Sequence, residues 1–452
     1  MKAKRLDIQV GLIMAATALV ALALIPGDSV PEIHDDDRLS NFALVEPRPR
    51  ADDWPWYRGT DRRNVAGKVR LPAQWPASNH NGWQVAVPGR GHATPILWGD
   101  QVFLLTADSE VQRISLRCYQ RTDGRELWST ELFQGGLPTV QDKNPYASST
   151  PACDGQFVFA ASVARGRLWV TSVDLTGRIA WQREAGPYTS KGDYISSPAL
   201  FKSLVVVVAD QKNDSYLTAF HRQTGHIVWR IKRPDGASCG SPVVATISGR
   251  PQLIVAGKGT ISSYHPGTGE TYWTFRWSAD RVANTVAFDE EHVYATSRQP
   301  QAEVVCIKAN GLGDVTDSHL VWRQPKIGGE FPSPILHAGL LYVLSDDGLL
   351  RCLEAATGKI EWRRRLAGTF SSSPLIGGDY LICCNETGIA YILQTGTSNT
   401  IVAENTLPDG IMAPPVVAGD ALLIRSSSHL YRIVPPTTDP IVEKPDRIKR
   451  RL

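Results

Sequence analysis

The sequence predicts an all-β protein: an eight-bladed β-propeller of four-stranded antiparallel blades, behind an N-terminal hydrophobic segment. Two phrases repeated in one register predict the propeller, and an unpaired strand near the start sets the number of blades. The first phrase is an apolar strand, then Thr-Gly or Asp-Gly, then a tryptophan. It occurs as Asp123-Gly124 with Trp128, Thr176-Gly177 with Trp181, Thr224-Gly225 with Trp229, Thr268-Gly269 with Trp273, and Thr357-Gly358 with Trp362. A looser copy, Asn310-Gly311, reaches Trp322 across an insertion, and Trp83 stands alone without a turn. From Trp83 onward the tryptophans are 45, 53, 48, 44, 49 and 40 residues apart. Periods of about 40 to 50 residues are those of propeller blades, which cannot bury their faces alone and stack on their neighbours. The periodic tryptophans are therefore expected between blades, in a structural role.

The second phrase is Ser or Thr before Pro, at Thr94-Pro95, Thr150-Pro151, Ser197-Pro198, Ser241-Pro242, Ser333-Pro334 and Ser373-Pro374. Asn284-Thr285 and Pro414-Pro415 fill the two remaining slots. Proline suits the first residue of a strand because it has no donor to offer the ladder. Within a unit the strands follow in order: Ile335-Leu336, Leu340 to Leu344, Leu349 to Leu353, and Ile360 to Trp362. Gly348 and Thr357-Gly358 supply the tight turns, where glycine tolerates positive φ.

Eight unit starts are present, but the last, from Pro414, has room for only three strands. The orphan strand beginning at Trp83 is the missing fourth; pairing it with the final blade closes the ring and removes exposed edges. The fifth and seventh units are degraded. In the seventh, Thr395-Gly396 is followed by no tryptophan, and its outer strand is expected from Thr400 to Ala403.

Outside the repeats, Lys2, Lys4 and Arg5 precede an uncharged stretch from Ile8 to Ile25. A basic start followed by an apolar run is an export signal that leaves the basic end inside. Residues 1–27 are expected to be a retained anchor, with a cleaved signal as the alternative. Residues 28–52 are expected to be a flexible spacer, 53–434 the propeller, and 435–452 a flexible tail. The propeller then lies outside the cytoplasm. The formal net charge of +3 gives no argument for nucleic acid.

The chain resembles the pyrroloquinoline quinone (PQQ) propeller repeat family. The resemblance rests on Ala355-Ala356-Thr357-Gly358-Lys359-Ile360-Glu361-Trp362, and on the leader Trp54-Pro55-Trp56-Tyr57-Arg58-Gly59 with Trp75-Pro76. The family implies two kinds of function. One is a dehydrogenase using PQQ and calcium, often with a disulfide between adjacent cysteines over the cofactor. The other is a non-enzymatic scaffold such as the β-barrel assembly lipoprotein BamB. Fold alone does not choose between them.

The residues favour the scaffold. Leu381-Ile382-Cys383-Cys384 aligns with Tyr342-Val343-Leu344-Ser345 of the preceding unit, an ordinary interior strand, rather than with a loop above the ring. The seven cysteines fit neither a zinc site nor a disulfide framework. Asp346-Asp347 precedes Gly348 in a turn, where Asp bonds its own backbone, with metal binding as the alternative. No catalytic residue, cofactor or metal ligand is assigned; a small-molecule sensor at the channel mouth is a further alternative.

Two connections between blades are long, from Trp128 to Pro151 and from Trp181 to Pro198. They occupy equivalent positions in consecutive blades and should emerge side by side on one face. They carry Lys143, Asn144, Tyr146, Tyr188, Lys191, Asp193 and Tyr194. Tyrosines mixed with polar groups on loops are interface material. The expected partners are envelope proteins, with the inner membrane reached through the N-terminal segment; loops that merely pack on each other are the alternative.

Overall fold

A computed structural model describes residues 46–67, 69–75, 82–138, 146–189 and 194–435, so the expected anchor and all but the first residue of the C-terminal tail lie outside the described residues. Eight antiparallel sheets follow one another along the chain, each built from an inner strand outward. The first comprises Ile96–Trp98, Gln101–Asp108, Arg113–Gln120 and Glu126–Gln134; the sixth comprises Ile335–His337, Leu340–Leu344, Leu349–Glu354 and Ile360–Arg365. No α-helix occurs among the described residues.

Closure is as the orphan strand predicts. Trp83–Ala86 runs antiparallel to His429–Ile433, with Trp83 opposite Arg432 and Ala86 opposite His429. The apolar core makes the same point. Its clusters lie between consecutive blades, and one of them joins Leu423 and Tyr431 of blade eight to Leu97 and Leu104 of blade one. Alternation explains this: each strand sends successive side chains to opposite faces, and every inner face has a neighbouring blade to cover it.

The tryptophan and the turn glycine are two halves of one joint. Each indole docks on the turn of the following blade: Trp83 Nε1 donates to the Arg121 carbonyl at 3.0 Å, and Trp128 to Leu175 at 3.0 Å. Trp181 donates to Arg222, Trp322 to Ala355, and Trp362 to Gly396. Trp273 donates to Gln252 and Ala309, and Trp229 packs under Gly269. The glycine lets the ring approach. A Cβ on Gly225 would lie 2.7 Å from the Trp181 indole, and its φ is +71°. Gly225→Ala is therefore expected to destabilise the propeller by about 3 kcal/mol, from overpacking added to left-handed strain. Urea denaturation checks this; a loss below about 1 kcal/mol would show that the joint is loose.

Blade seven has no docking tryptophan, and its outer strand is Ile401–Thr406, longer than the sequence suggested. Ala403 faces Ile392 where Trp362 faces Cys352 one blade earlier. Trp75 enters the same cluster as Ala403, and its backbone N–H donates to Asn405 Oδ1 at 2.9 Å. An indole from outside the repeat thus packs where the repeat lacks one.

The insertion in blade five also has a place. Gly313–Asp314 adds in parallel to the outer strand Thr271–Arg276 of blade four, covering that edge.

Candidate functional site: the central cavity

The residues before each inner strand face the channel alternately. One layer is Thr94, Thr150, Ser197, Ser241, Ser373 and Pro414; two residues earlier come His92, Ser148, Ile195, Cys239, Ser371 and Met412. Period-two alternation in an extended segment puts both layers on the wall. They enclose a cavity of about 290 Å³.

The hydroxyl layer is a relay. The backbone N–H of Thr94 donates to Thr150 Oγ1 at 3.0 Å, Thr150 to Ser197 Oγ at 3.1 Å, and Ser197 to Ser241 Oγ at 2.9 Å. Ser241 donates to Thr285 Oγ1, Thr285 to Ser333 Oγ, and Ser333 to Ser373 Oγ. Every link crosses from one blade to the next and satisfies a buried donor that no ladder serves. The eighth blade carries Pro414 in this slot, with neither hydroxyl nor N–H. The sequence reading took Ser/Thr-Pro as a strand start and missed the relay. A strand start needs only the proline; the hydroxyl repeated in front of it was the available signal.

One end of the channel is crossed by the leader. Trp54 exchanges both backbone bonds with Leu97 of blade one, and the Pro55 carbonyl accepts from Cys153 of blade two. Arg62 donates to Leu200 of blade three, Arg58 to Thr285 before blade five and to Pro334 before blade six, and Asn64 to Pro374 before blade seven. Tyr57 joins the cavity wall. Burial holds the Arg58 guanidinium below its ordinary pKa; backbone carbonyls take its hydrogen bonds, with Asp61 and Tyr57 near enough to offset part of the burial cost. Just before the leader, Asp52 pairs with Arg121 of blade one at 2.8 Å.

At the mouth, Arg298, Asp346 and Glu386 stand on equivalent turns of blades five to seven. Asp346 is committed: Oδ2 accepts from Arg298 at 3.0 Å and from the Glu330 N–H at 2.9 Å, and Oδ1 from the Phe331 N–H at 3.0 Å. Asp210, on the same turn of blade three, is held by Arg233 at 2.6 and 2.9 Å. Glu386 accepts from the Ser371 hydroxyl. No group of three or more His, Cys, Asp or Glu able to hold a metal occurs among the described residues. Carboxylates tied up in this way do not fit a calcium–quinone centre, which needs several oxygens free to converge on the ion.

Cys383 and Cys384 lie in the interior strand Tyr380–Cys384, opposite Tyr391 and Ala390, both fully buried as free thiols. Burial pushes the Cys384 thiol up to about 12, so neither the position nor the protonation state suits chemistry.

The long connections end at the mouth, since Ser148 and Ile195 in the cavity wall are among their last residues. Tyr188 and Tyr194 are buried and meet edge to face at 5.4 Å, while Tyr146 packs half-buried on the cluster of blades one and two. Lys143, Asn144, Lys191 and Asp193 fall outside the described residues. Tyr146 of the first connection lines one small pocket together with Tyr188 and Tyr194 of the second, so the described tyrosines pack where the two connections approach each other.

Comparison with known proteins decides the family. The family model described as outer membrane protein assembly factor BamB matches residues 112–258 and 313–403, just over half of the chain. The chain belongs to that family. BamB of Yersinia pestis is 21% identical over 345 residues, covering 75% of this chain and 82% of that protein. The crystal structure of BamB from Moraxella catarrhalis superimposes with a TM-score of 0.57 at 14% identity, covering 77% of this chain and 98% of that one. A europium-containing methanol dehydrogenase superimposes with a TM-score of 0.63 at 12% identity, covering 84% and 91%. At such identities the structural likeness speaks for the fold alone, and it includes scaffold and enzyme alike.

Proposed function

We propose that this BamB-family chain is a non-catalytic scaffold of the bacterial cell envelope, binding other envelope proteins through the face where its cavity opens. Membership of a family described by outer membrane protein assembly carries the reading. The committed mouth carboxylates support it, as do two long connections that end in the cavity wall and whose tyrosines, Tyr146 of one and Tyr188 and Tyr194 of the other, line one small pocket. The residues proposed to meet the partner are Lys143, Asn144, Lys191 and Asp193 within those connections, with the hydrophobic N-terminal segment delivering the propeller across the inner membrane.

A photo-crosslinking amino acid placed at Lys143 or Lys191 in living cells is expected to capture an outer-membrane assembly protein. The same probe at Glu361, on the outer strand of blade six, is expected to capture none. Equal capture at both positions would remove the face from the proposal. Saturable binding of PQQ with calcium to the purified protein, followed by dye reduction with an alcohol, would overturn the scaffold reading itself.

A further inference from the structure

The hydroxyl relay is interrupted at one place, and that place has unsatisfied groups. Because Pro414 offers no N–H, Thr94 Oγ1 receives no bond from blade eight; it is buried in the cavity wall, and no partner reaches it among the described residues. A buried hydroxyl without a partner costs about 1–3 kcal/mol, so this is a deficit the native wall carries. The rest of the relay sharpens it. Thr150, Ser197 and Ser373 accept a backbone N–H apiece, which leaves each hydroxyl proton available to an acceptor in the cavity.

Behind the same seam sits a cation with no carboxylate partner among the described residues. Arg425 is 2% exposed, and its Nη1 donates to the Ala93 and Leu105 carbonyls of blade one at 3.2 and 2.8 Å. Among the described residues its Nη2 has no partner, and it lies against Gly91, where a Cβ would be 2.6 Å away. His92, one residue on, lines the cavity directly in front of this charge. Burial, and then Arg425 itself, push the His92 imidazole down to about 3, so it is neutral and can donate one hydrogen bond. A buried charge of one sign with low-dielectric walls raises the local concentration of the opposite sign.

The remaining wall is apolar where a ligand's body would lie: Ile195, Phe331, Phe370 and Met412. Across the mouth, Glu386 disfavours a second negative charge. We infer that the cavity binds a small monocarboxylic acid, its carboxylate against Thr94 and His92 at the seam of blades eight and one and its apolar body against Phe331 and Phe370. The volume, near the lower end for ligand pockets, sets the size at about that of a single ring or a short branched chain. This inference does not rest on the scaffold reading, and its failure would leave that reading as it stands.

Benzoate is the probe, titrated calorimetrically into the full-length protein, with benzamide as the uncharged counterpart and terephthalate as the doubly charged one. Benzoate is expected to bind saturably at one site, at least roughly tenfold tighter than either comparison compound. Thr94→Val keeps the side-chain shape and the backbone link to Thr150, so its fold is preserved; it is expected to weaken benzoate by roughly tenfold. Arg425→Met is expected to weaken it by a similar factor or more. No saturation up to about 10 mM, benzamide binding as well as benzoate, or unchanged affinity in Thr94→Val would each overturn the inference.

Discussion

A chain beginning at residue 88 is expected to lose its cooperative unfolding transition and to aggregate. Without Trp83–Ala86, blade eight keeps three strands, and His429–Ile433 becomes an open edge that invites pairing with other molecules. Trp83 leaves Gly124 and the Arg121 carbonyl, which alone costs about 3 kcal/mol or more. The leader goes with it, and with the leader the bonds to blades one, two, three, five, six and seven. Against a total stability of about 5–15 kcal/mol, losses of this size are not survivable. Thermal melts and gel filtration test it. Residues 46–87 supplied as a separate peptide are expected to restore a monomeric, cooperatively melting ring. A truncated chain melting within about 3 °C of the intact one would mean that blade eight closes without its fourth strand.

The second large effect belongs to the Arg222–Asp154 pair. Both side chains are 1% exposed, 3.0 Å apart, and tie blade three to blade two beneath the docked Trp181. Asp154 Oδ1 meanwhile accepts the N–H groups of Gln156 and Phe157, so the carboxylate is fixed whatever happens to the arginine. Burial, the largest influence, raises the Asp154 pKa, and a lone charge there would be costly. Arg222→Met is expected to destabilise by about 3–5 kcal/mol in urea denaturation. Arg222→Met combined with Asp154→Asn removes the stranded charge and keeps the Oδ1 acceptor, so more than half of the loss is expected to return. A single-variant cost under about 1 kcal/mol would mean that water reaches the pair. Arg121 occupies the same repeat position two ring joints earlier, but reaches the more exposed Asp52, and its removal should cost far less.

The blades were legible because the residues that mark them act on their nearest neighbours. Trp128 and Gly177, or Trp322 and Gly358, form one joint repeated around the ring, and repetition reveals it. The closing strand was legible because a four-stranded unit with three strands implies a fourth elsewhere. Blade seven was harder: its joint is supported by Trp75, which belongs to no repeat. The leader's role was hidden for the same reason. Arg58 and Asn64 bond to carbonyls more than two hundred residues away, and nothing in their local spacing encodes that distance. The cavity lay between these cases. Its wall residues were in plain view as Ser/Thr-Pro markers, but that their hydroxyls link the blades, and that Pro414 breaks the circle, follows only once the ring is closed. The tyrosines of the long connections were noticed for their chemistry and found as packing, since a ring large enough to make an interface is also large enough to fill the space beneath a loop.

The leader also decides how the molecule would bear a pull. A load applied at residue 46 meets blade one first, at the Asp52–Arg121 pair and the Trp54–Leu97 bridge. Beyond them the fastenings continue around the ring, so the clasp has to be undone blade by blade before the load arrives at the repeat. The strand that closes the circle lies farther along the chain, sheltered behind that clasp. A propeller tethered from this end would hold its shape under tension that would unzip a blade from its free edge.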